Sequence, residues 1–309
     1  MKIVAYNIHY GIGKDSEYDL NRIVDSVRGA DIIALQEVER FYGPPHQPAQ
    51  PEDIAALLPD YYWVFDAAFD LDASEKRNEG TVFNRRMQHG QMLISRWPIY
   101  SKRYFPLPRL NVEYAFNMQM GVLEGTIVTP LGPLRIYVVH FGSESGEERV
   151  LQSKFVNDLV LGAPDQGGAW TGPAEENADR DWSGGKSLLP MPVNAIVLGD
   201  FNMVEGSKEY IELKDSLAES GMPLLVDIYS RLEPNTKVNT WHPNPGRNDN
   251  QESAKLDYVF LTSDLVPFAT KAWVDESATG SDHQPVWVEL DSLWHTSSST
   301  ALNWAENTT

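Results

Sequence analysis

The chain has no cysteine among its 309 residues. Disulfide bonds, thiolate catalysis and cysteine-ligated zinc sites are therefore excluded, and any metal ion must be bound by oxygen or imidazole ligands. Positive charge is scarce as well, because 25 lysines and arginines stand against 44 aspartates and glutamates, a formal net charge of −19. This charge disfavours non-specific binding to nucleic acid, although it leaves room for a local basic patch.

Long apolar runs are also missing. No uninterrupted stretch approaches the ~20 apolar residues that a membrane helix needs. The opening residues, MKIVAYNIHYG, become polar too early for the apolar core of a signal peptide. We expect a soluble, monomeric protein that is cytoplasmic, or secreted with a leader that is absent from this sequence. No shift in composition divides the chain, so we predict one domain over 1–291, with an insertion at 162–192 and a loosely held tail at 292–309.

Short apolar or alternating stretches typical of β-strands recur along the chain. Strands are predicted at 2–8, 31–37, 61–65, 91–95, 121–129, 134–141, 193–198, 256–261 and 285–290. Asp19, Ser145 and Ser207 each suit the N-cap of a helix. Segments 66–89 and 236–253 show no periodicity and are predicted to be loops. The order strand, helix, strand at the start of the chain predicts a layered α/β fold.

Two further helical patterns complete this prediction. Pro51 suits the first turn of a short helix. The helix that begins after Ser145 is predicted to end near residue 161, with Leu151 and Phe155 among the side chains that point inward.

The stretch VLGDFN, at 197–202, ends an apolar strand with two polar side chains one residue apart. Gly199 lets the backbone turn, and Asp200 and Asn202 then emerge together at the carboxyl end of the strand. An aspartate at that point can accept a proton or bind a metal, and an asparagine amide can donate to an anionic oxygen without carrying charge. A plain polar turn uses the same residue types, so partners elsewhere in the chain must decide between the two interpretations.

Other polar residues follow strands, or lie in short turns, in the same manner. The full set is Asn7, Glu37, His140, Asp200, Asn202, Asp257, Asp282 and His283. The carboxyl ends of strands in an α/β sheet meet at one edge, so these residues are expected to line one crevice. Four carboxylates, two imidazoles and two carboxamides suit Mg²⁺ or Mn²⁺. They also match the needs of phosphoester hydrolysis, which are to neutralise the phosphate, orient a water and stabilise the leaving oxygen.

Several polar residues outside this set have simpler explanations. Asp31 lies at the opposite end of its strand from Glu37, where a turn or cap is expected. Arg85 and Arg86 belong to the most basic segment and are most simply part of a solvated loop, with a phosphate-facing role as the alternative. The remaining histidines lack a motif and are predicted to lie on the surface or in loops; they are His9, His46, His89, His242 and His295.

Six motifs, in this order, resemble the endonuclease/exonuclease/phosphatase superfamily over roughly residues 1–290. They are QE at 36–37, GQMLISRWPI at 90–99, VVHF at 138–141, GDFN at 199–202, KLDYVF at 255–260 and SDHQPV at 281–286. The resemblance implies a four-layer α/β sandwich, in which two mixed β-sheets pack face to face with helices on the outside. It also implies a hydrolase of phosphoester bonds that depends on Mg²⁺ or Mn²⁺.

The resemblance assigns three residues to the metal. Glu37 would be the principal ligand, Asn7 would support metal and phosphate, and Asp282 would lie beside the metal. The sequence departs from the family at 118–120, which reads MQM where many relatives place an arginine just before the next strand. The usual phosphate contact must then come from another arginine, or the substrate is an uncommon one.

The resemblance also assigns catalytic roles. Asp200 would orient or deprotonate the attacking water, while Asn202 holds that water or a phosphate oxygen. His283 would contact the phosphate, and the carboxylate of Asp257 would fix its tautomer and favour the imidazolium. His140 would flank the phosphate from the other side.

The substrate class stays open among three alternatives. A small or lipid-linked phosphodiester or phosphomonoester fits the acidic charge best, and an endonuclease or exonuclease acting on DNA or RNA is the second possibility. The third is a catalytically inactive binding protein on the same scaffold, against which the intact site argues. Four loop tryptophans would stack on bases, touch a membrane or anchor their own loops; they are Trp170, Trp182, Trp294 and Trp304.

Chain direction predicts the place of the insertion at 162–192. His140 ends a strand at the crevice, so the helix after Ser145 must run away from it, and the strand that delivers Asp200 must begin at the far end. Both anchors of the insertion are then remote from the crevice. We predict a peripheral loop rather than a lid, with substrate choice set by 66–89 and 236–253.

Overall fold

The computed structural model describes residues 1–42, 48–130, 132–172, 181–186, 191–222, 224–243 and 252–291. The strands in this part of the chain are β1 (Lys2–Asn7), β2 (Ile32–Arg40), β3 (Tyr62–Asp72), β4 (Glu75–Lys76), β5 (Val82–Phe83), β6 (Arg86–Ser95), β7 (Ile99–Pro106), β8 (Gly121–Thr129), β9 (Gly132–His140), β10 (Ala195–Asp200), β11 (Leu225–Asp227), β12 (Asp257–Thr262), β13 (Ala269–Val274) and β14 (Val286–Leu290). The α-helices are α1 (Leu20–Val27), α2 (Gln50–Leu57), α3 (Gly146–Gln166), α4 (Lys208–Lys214) and α5 (Ile228–Leu232), and two short 3₁₀ helices lie at His9–Gly11 and Ser263–Phe268.

Most strands belong to two mixed sheets. The first sheet has the order β13-β14-β1-β2-β6-β3, and the second has the order β11-β12-β10-β9-β8-β7. Each contains one parallel pair near its centre, β1 with β2 and β9 with β10, while the other described neighbours are antiparallel. Each sheet therefore brings the carboxyl ends of two neighbouring strands to the same edge.

Three hydrophobic clusters separate four layers. The cluster between the sheets includes Ile3 and Ala34 from the first sheet and Leu123 and Leu198 from the second. Another joins α3 and α4 to the outer face of the second sheet, and the third joins α1 and α2 to the outer face of the first. Burial of one face of each helix and both faces of each sheet is the main stabilising contribution in such a fold. The predicted four-layer α/β sandwich is confirmed.

The helix starts follow the predicted capping residues. Asp19 accepts a hydrogen bond from the backbone N–H of Asn21 at 2.8 Å, ahead of α1. Ser145 and Ser207 each accept from the backbone N–H three residues later, ahead of α3 and α4. These caps satisfy N–H groups that have no carbonyl partner within the helix.

Helix α3 differs from the prediction in its length and in the orientation of Leu151. It continues to Gln166 instead of ending near residue 161, so the insertion begins later than predicted. Leu151, predicted to point inward, is exposed, while Gln152 and Ser153 are buried. Both of these polar side chains donate to backbone carbonyls of other segments. Phe155 packs against the second sheet as predicted, so hydrophobic periodicity finds the apolar part of the buried face and misses its polar part.

The loop prediction for residues 66–89 is wrong, since β3 and β6 continue into this segment and β4 and β5 form a small hairpin between them. A register shift between Asp66 and Phe69 interrupts β3 opposite Gly90. A Cβ at Gly90 would collide with the Asp66 backbone, so the close approach requires glycine. The last residues of β3 and the hairpin of β4 and β5 are largely exposed. The alternation of buried and exposed residues that marks a half-buried strand is therefore missing there.

The described ends of the insertion lie away from the carboxyl ends of β9 and β10. Arg103 of β7 donates from Nη1 to Gln166 Oε1 at 3.1 Å, at the end of α3. On the other side, Thr126 Oγ1 donates to Met191 Sδ at 3.7 Å. Thr126 lies towards the end of β8 that is remote from His140. Both anchors are therefore distant from the edge where Asp200 emerges.

The middle of the insertion and the predicted tail at 292–309 lie outside the described residues, as do Trp294 and Trp304. Trp182 is 80% exposed. The helices of the described segments include none that is long and apolar enough to cross a membrane.

Candidate active site

The carboxyl ends of the two parallel strand pairs meet between the sheets. Asn7 ends β1, and Asp200 ends β10 directly opposite His140 of β9. The Asn7 amide joins the sheets, because its Nδ2 donates to Glu37 Oε1 at 3.0 Å and to Asp200 Oδ2 at 2.9 Å. The Asn7 side chain thus fixes the distance between the carboxylate of Glu37, in the first sheet, and that of Asp200, in the second.

Unusual backbone conformations place three of the site residues. Glu37 and Asn202 have φ values of +58° and +48°, a region that residues other than glycine seldom adopt. Glu37 lies at the register shift in β2, and a bulge of this kind re-aims a side chain. Gly199 has a φ of +142°, and a Cβ there would collide with the carbonyl of Val139. Glycine therefore lets β10 approach β9 closely just before Asp200.

Asn202 is oriented by its neighbours. Its backbone N–H donates to Asp200 Oδ1 at 2.8 Å, and its Nδ2 donates to the carbonyl of Phe141 at 3.0 Å. Among the described residues no group donates to Asn202 Oδ1, so this oxygen is available to a water or a cation.

His283 is held between two aspartates. Its Nδ1 lies 2.8 Å from Asp257 Oδ2, and its Nε2 lies 3.7 Å from Asp200 Oδ2. All three side chains are buried. The contact with Asp257 fixes the ring, so Nε2 is the nitrogen that faces the other site residues.

Asp282 borders the same region through different partners. Trp241 Nε1 donates to Asp282 Oδ2 at 3.2 Å, and His9 Nδ1 lies 3.6 Å from Asp282 Oδ1. Ser281 Oγ donates to the backbone carbonyl of Asn7 at 2.8 Å, which attaches the turn at 281–283 to the end of β1. The structure thus brings all eight predicted side chains into one connected group; their roles remain predictions.

Burial and neighbouring charges shift the pKa values of the two central carboxyl groups in opposite directions. Burial, reinforced by the charge of Asp257, raises the pKa of Asp200 to about 7. Burial also acts to raise the pKa of Glu37, but the surrounding imidazoles, His140 foremost, outweigh it and hold that pKa at about 2. Near neutral pH, Glu37 is a carboxylate, while Asp200 holds a proton more readily than an ordinary aspartate, as suits a group that accepts one.

The two imidazoles also differ in charge. Burial lowers the pKa of His283, but the charges of Asp257 and Asp200 outweigh this and raise it to about 10. Burial lowers the pKa of His140 to about 4, against the partial opposition of Glu37. At neutral pH the site therefore presents one cationic and one neutral imidazole.

The prediction that His89 lies on the surface or in a loop is wrong. His89 is buried in β6 directly opposite Glu39 of β2, and its Nδ1 lies 3.3 Å from Glu39 Oε1. One ligand atom each from Glu37, His89 and His140 lie within 4.8 Å of one another. His89 lies immediately before the motif at 90–99 and belongs to the same strand, β6. Its place next to this motif is the sequence signal that could have identified it.

Two other histidines also lie near the site. His9, predicted to lie on the surface or in a loop, has a side chain only 14% exposed. His242 lies in a loop, as predicted, and its backbone N–H donates to the carbonyl of Asp282 at 3.0 Å. His46 and His295 are outside the described residues.

The segment that lacks the family arginine supplies no cation. Gln119 donates from Nε2 to the carbonyls of Leu107 and Met120, which holds the turn ahead of β8. Lys14 lies half-buried in the loop after β1, where burial lowers its pKa and the charge of Asp282 opposes this shift. In the described part of the chain Lys14 has no ion pair.

Asp31 behaves as its position predicts. It lies just ahead of β2, at the end remote from Glu37, and its Oδ2 accepts a hydrogen bond from the backbone N–H of Lys2 at 2.8 Å. It therefore takes no part in the site.

The sandwich and its group of carboxylates, carboxamides and imidazoles are the features expected of a hydrolase that acts on phosphoesters. A model of the Endonuclease/Exonuclease/phosphatase family matches residues 4–283, and the chain belongs to this family. Members of the family hydrolyse phosphoester bonds and generally depend on a divalent metal. No curated protein matches the chain.

Solved structures with the same fold come from several bacteria. An endonuclease/exonuclease/phosphatase protein from Beutenbergia cavernae is 20% identical, with a TM-score of 0.60 over 94% of this chain and 71% of its own. A 3'-5' exonuclease from Neisseria meningitidis is 16% identical, with a TM-score of 0.57 over 94% and 100%. A mannosyl-6-phosphatase from Bacteroides thetaiotaomicron is 18% identical, with a TM-score of 0.55 over 94% and 99%. These similarities establish the fold.

Proposed function

We propose that the chain is a Mg²⁺- or Mn²⁺-dependent phosphodiesterase or phosphatase acting on a small or lipid-linked ester. The choice of a small or lipid-linked ester rests on ion pairs near Glu37. These pairs neutralise basic side chains at the end of the first sheet where Glu37 lies. There Arg86 pairs with Asp70 at 2.7 Å and Arg40 pairs with Glu52 at 2.5 Å. With a net charge of −19, such pairing leaves little positive charge for a polyanion.

The donor set fits the divalent cation on which the family generally depends. Glu37 would hold it, with Asn7 and Asp282 beside it, and the oxygen-rich set without thiolates favours Mg²⁺ or Mn²⁺ over soft ions. When bound, the ion supplies positive charge that stabilises the phosphate as negative charge develops on its oxygens.

The chain's own residues account for removal of a proton from the attacking water and for the orientation of the phosphate. Asp200, with its raised pKa, takes a proton from the attacking water, and Asn202 Oδ1 orients that water. The imidazolium of His283 donates from Nε2 to a phosphate oxygen, while Asp257 keeps it protonated and correctly turned. Neutral His140 lies across from it and completes the contacts around the phosphate.

A panel of substrates tests this proposal. EDTA-treated protein would be assayed on bis-p-nitrophenyl phosphate, p-nitrophenyl phosphate, sphingomyelin and plasmid DNA, each with and without added Mg²⁺ or Mn²⁺. Turnover of a small ester or of sphingomyelin that needs the metal supports the proposal, and the two outcomes separate a small from a lipid-linked substrate. Cleavage of plasmid DNA alone would overturn the choice of substrate.

A nuclease is the second candidate, favoured by exposed aromatic rings near the site. Phe116 is 73% exposed and lies 6.4 Å from Phe69 between ring centroids, and Tyr114 is also 73% exposed. Such rings can stack on unpaired bases. Binding of single-stranded DNA that weakens steeply with salt would support this candidate, whereas weak binding at low salt would exclude it.

A further inference from the structure

One pair of buried polar residues has no part in the roles described so far. Glu39 and His89 face each other across β2 and β6, and each is 8% exposed. Their contact, 3.3 Å from His89 Nδ1 to Glu39 Oε1, uses one of the two ring nitrogens. In the described residues nothing hydrogen-bonds to Nε2 of His89, which leaves a ring nitrogen free for a ligand.

Other potential ligands lie close to His89. Its ring centroid lies 6.3 Å from that of His140, whose Nε2 lies 3.9 Å from Glu37 Oε1. A single ligand atom from each of these three residues can be chosen so that all lie within 4.8 Å. Within the described chain His140 makes no hydrogen bond to a protein group, so two buried imidazoles stand beside a carboxylate with nitrogens unused.

A carboxylate that holds one imidazole nitrogen while the other points to a cation is a recurring arrangement in metal sites. The partner carboxylate fixes the tautomer and the direction of the free nitrogen. Glu39 is placed to do this for His89. A purely structural pair would satisfy its two members across the strands, but it would not require the His89 imidazole to lie beside His140 and Glu37.

We propose that Glu37, His89 and His140 form a cation site with two imidazole ligands, in which Glu39 positions His89, and that this site prefers Mn²⁺ to Mg²⁺. Mg²⁺ favours oxygen ligands, whereas first-row transition ions gain affinity from imidazole nitrogen. The proposal rests on the metal dependence in the proposed function. It keeps Glu37 as a ligand, adds His89, and assigns His140 to the cation instead of to the phosphate.

Binding of Mn²⁺, rather than turnover, tests the site. Pulsed electron paramagnetic resonance of Mn²⁺ bound to the metal-depleted full chain is expected to show ¹⁴N coupling from two histidines. His89→Gln is expected to remove one of these couplings and to weaken Mn²⁺ binding about tenfold or more, with a much smaller effect on Mg²⁺. Glu39→Gln should weaken Mn²⁺ binding about tenfold while retaining both couplings.

His242→Gln is the matched control, since this nearby histidine uses its Nδ1 at 2.9 Å from Ser253 Oγ and belongs to no ligand group among the described residues. It should leave Mn²⁺ affinity and both couplings unchanged. Bound Mn²⁺ without nitrogen coupling in the wild type, or an unaltered signal in folded His89→Gln, would overturn the site and leave the proposed function intact. Full activity without any metal would instead contradict the proposed function. Should His89→Gln fail to fold, the wild-type spectrum alone decides.

Discussion

The Nδ1 atom of His283 lies 2.8 Å from Oδ2 of Asp257, and neither side chain is appreciably exposed. This contact gives a protonated imidazole whose Nε2 faces Asp200. The charge of Asp257 is the main reason that the pKa of His283 rises to about 10 despite its burial. The proposed phosphate contact therefore depends on a residue that does not itself face the substrate.

Asp257→Asn should shift the alkaline limb of the activity profile. Because the pKa of His283 is raised, the imidazolium is present below pH about 10 and is lost as pH rises through that value. Removing the carboxylate charge lowers this pKa, so kcat/KM should begin to fall at a lower pH in the variant. Exposed Asp264→Asn serves as control. A profile identical in Asp257→Asn and wild type would show that the imidazolium is not required.

Glu37→Gln should first appear as an increased need for metal. The carboxylate of Glu37, ionised at neutral pH, is the proposed principal ligand, and its amide analogue lacks the charge. We expect Mg²⁺ or Mn²⁺ to restore activity after EDTA, with the half-saturating Mg²⁺ concentration about tenfold or more higher in the variant. Unchanged half-saturation would remove Glu37 from the ligand set.

Lys14→Ala should raise KM with a smaller effect on kcat. Lys14 lies half-buried near Asp282, where it would replace the missing family arginine as the partner of a substrate phosphate. Loss of one charge-assisted contact corresponds to roughly a tenfold increase in KM. Lys208→Ala, at an exposed position at the start of α4, is the control for net charge. The same change of KM in both variants would show that Lys14 does not contact the substrate.

Arg135→Met should destabilise the fold without affecting the site. Arg135 is 1% exposed and donates to Tyr137 Oη at 2.8 Å and to the carbonyls of Val160 and Val193 at 2.9 and 2.7 Å. Pro164 has no N–H to offer Val160, so the arginine satisfies a carbonyl that the helix cannot. We expect a loss of about 3 kcal/mol in the free energy of unfolding, measured by urea denaturation.

The control for this change is Arg28→Met, at an arginine that is 60% exposed. Its free energy of unfolding should change by less than about 1 kcal/mol. A similarly small effect of Arg135→Met would mean that water or a shifted backbone satisfies the three acceptors.

Replacing residues 169–186 with a short Gly-Ser linker should leave turnover of a small phosphodiester nearly unchanged. The anchors at Gln166 and Met191 lie against β7 and β8, away from the end of β9. Gln166 is retained because α3 extends to it. A large fall in kcat with an unaltered melting temperature would show that the insertion acts at the site.

Sequence patterns predict the centre of this fold better than its edges. The central strands are apolar, and the polar residue that follows each one is conspicuous, which is how Asn7 and Asp200 were identified together. The parallel pairs then bring such residues to one edge. β7 and β13 are edge strands that were not predicted, and the projecting end of β3 is exposed, so neither alternation nor a long apolar run marks them.

Buried polar groups explain most of the other differences. A histidine without a motif is usually exposed, so the sequence pattern predicts His89 on the surface or in a loop, and only its position opposite Glu39 reveals its burial. The inward face of α3 carries Gln152 and Ser153, whose hydrogen bonds lie with distant segments. The last turns of α3 are stabilised by a hydrogen bond from Arg135 to the carbonyl of Val160. Hydrophobic periodicity along the sequence does not reveal this contact.

The most direct test of the mechanism is turnover of bis-p-nitrophenyl phosphate by Asp200→Asn and His283→Ala at saturating Mg²⁺ and Mn²⁺, with melting temperatures measured in parallel. We expect each variant to stay folded and to lose roughly 10²–10⁴-fold in kcat, because one lacks the proton acceptor and the other the cationic donor to phosphate. Turnover near the wild-type rate in either folded variant would contradict the proposed mechanism.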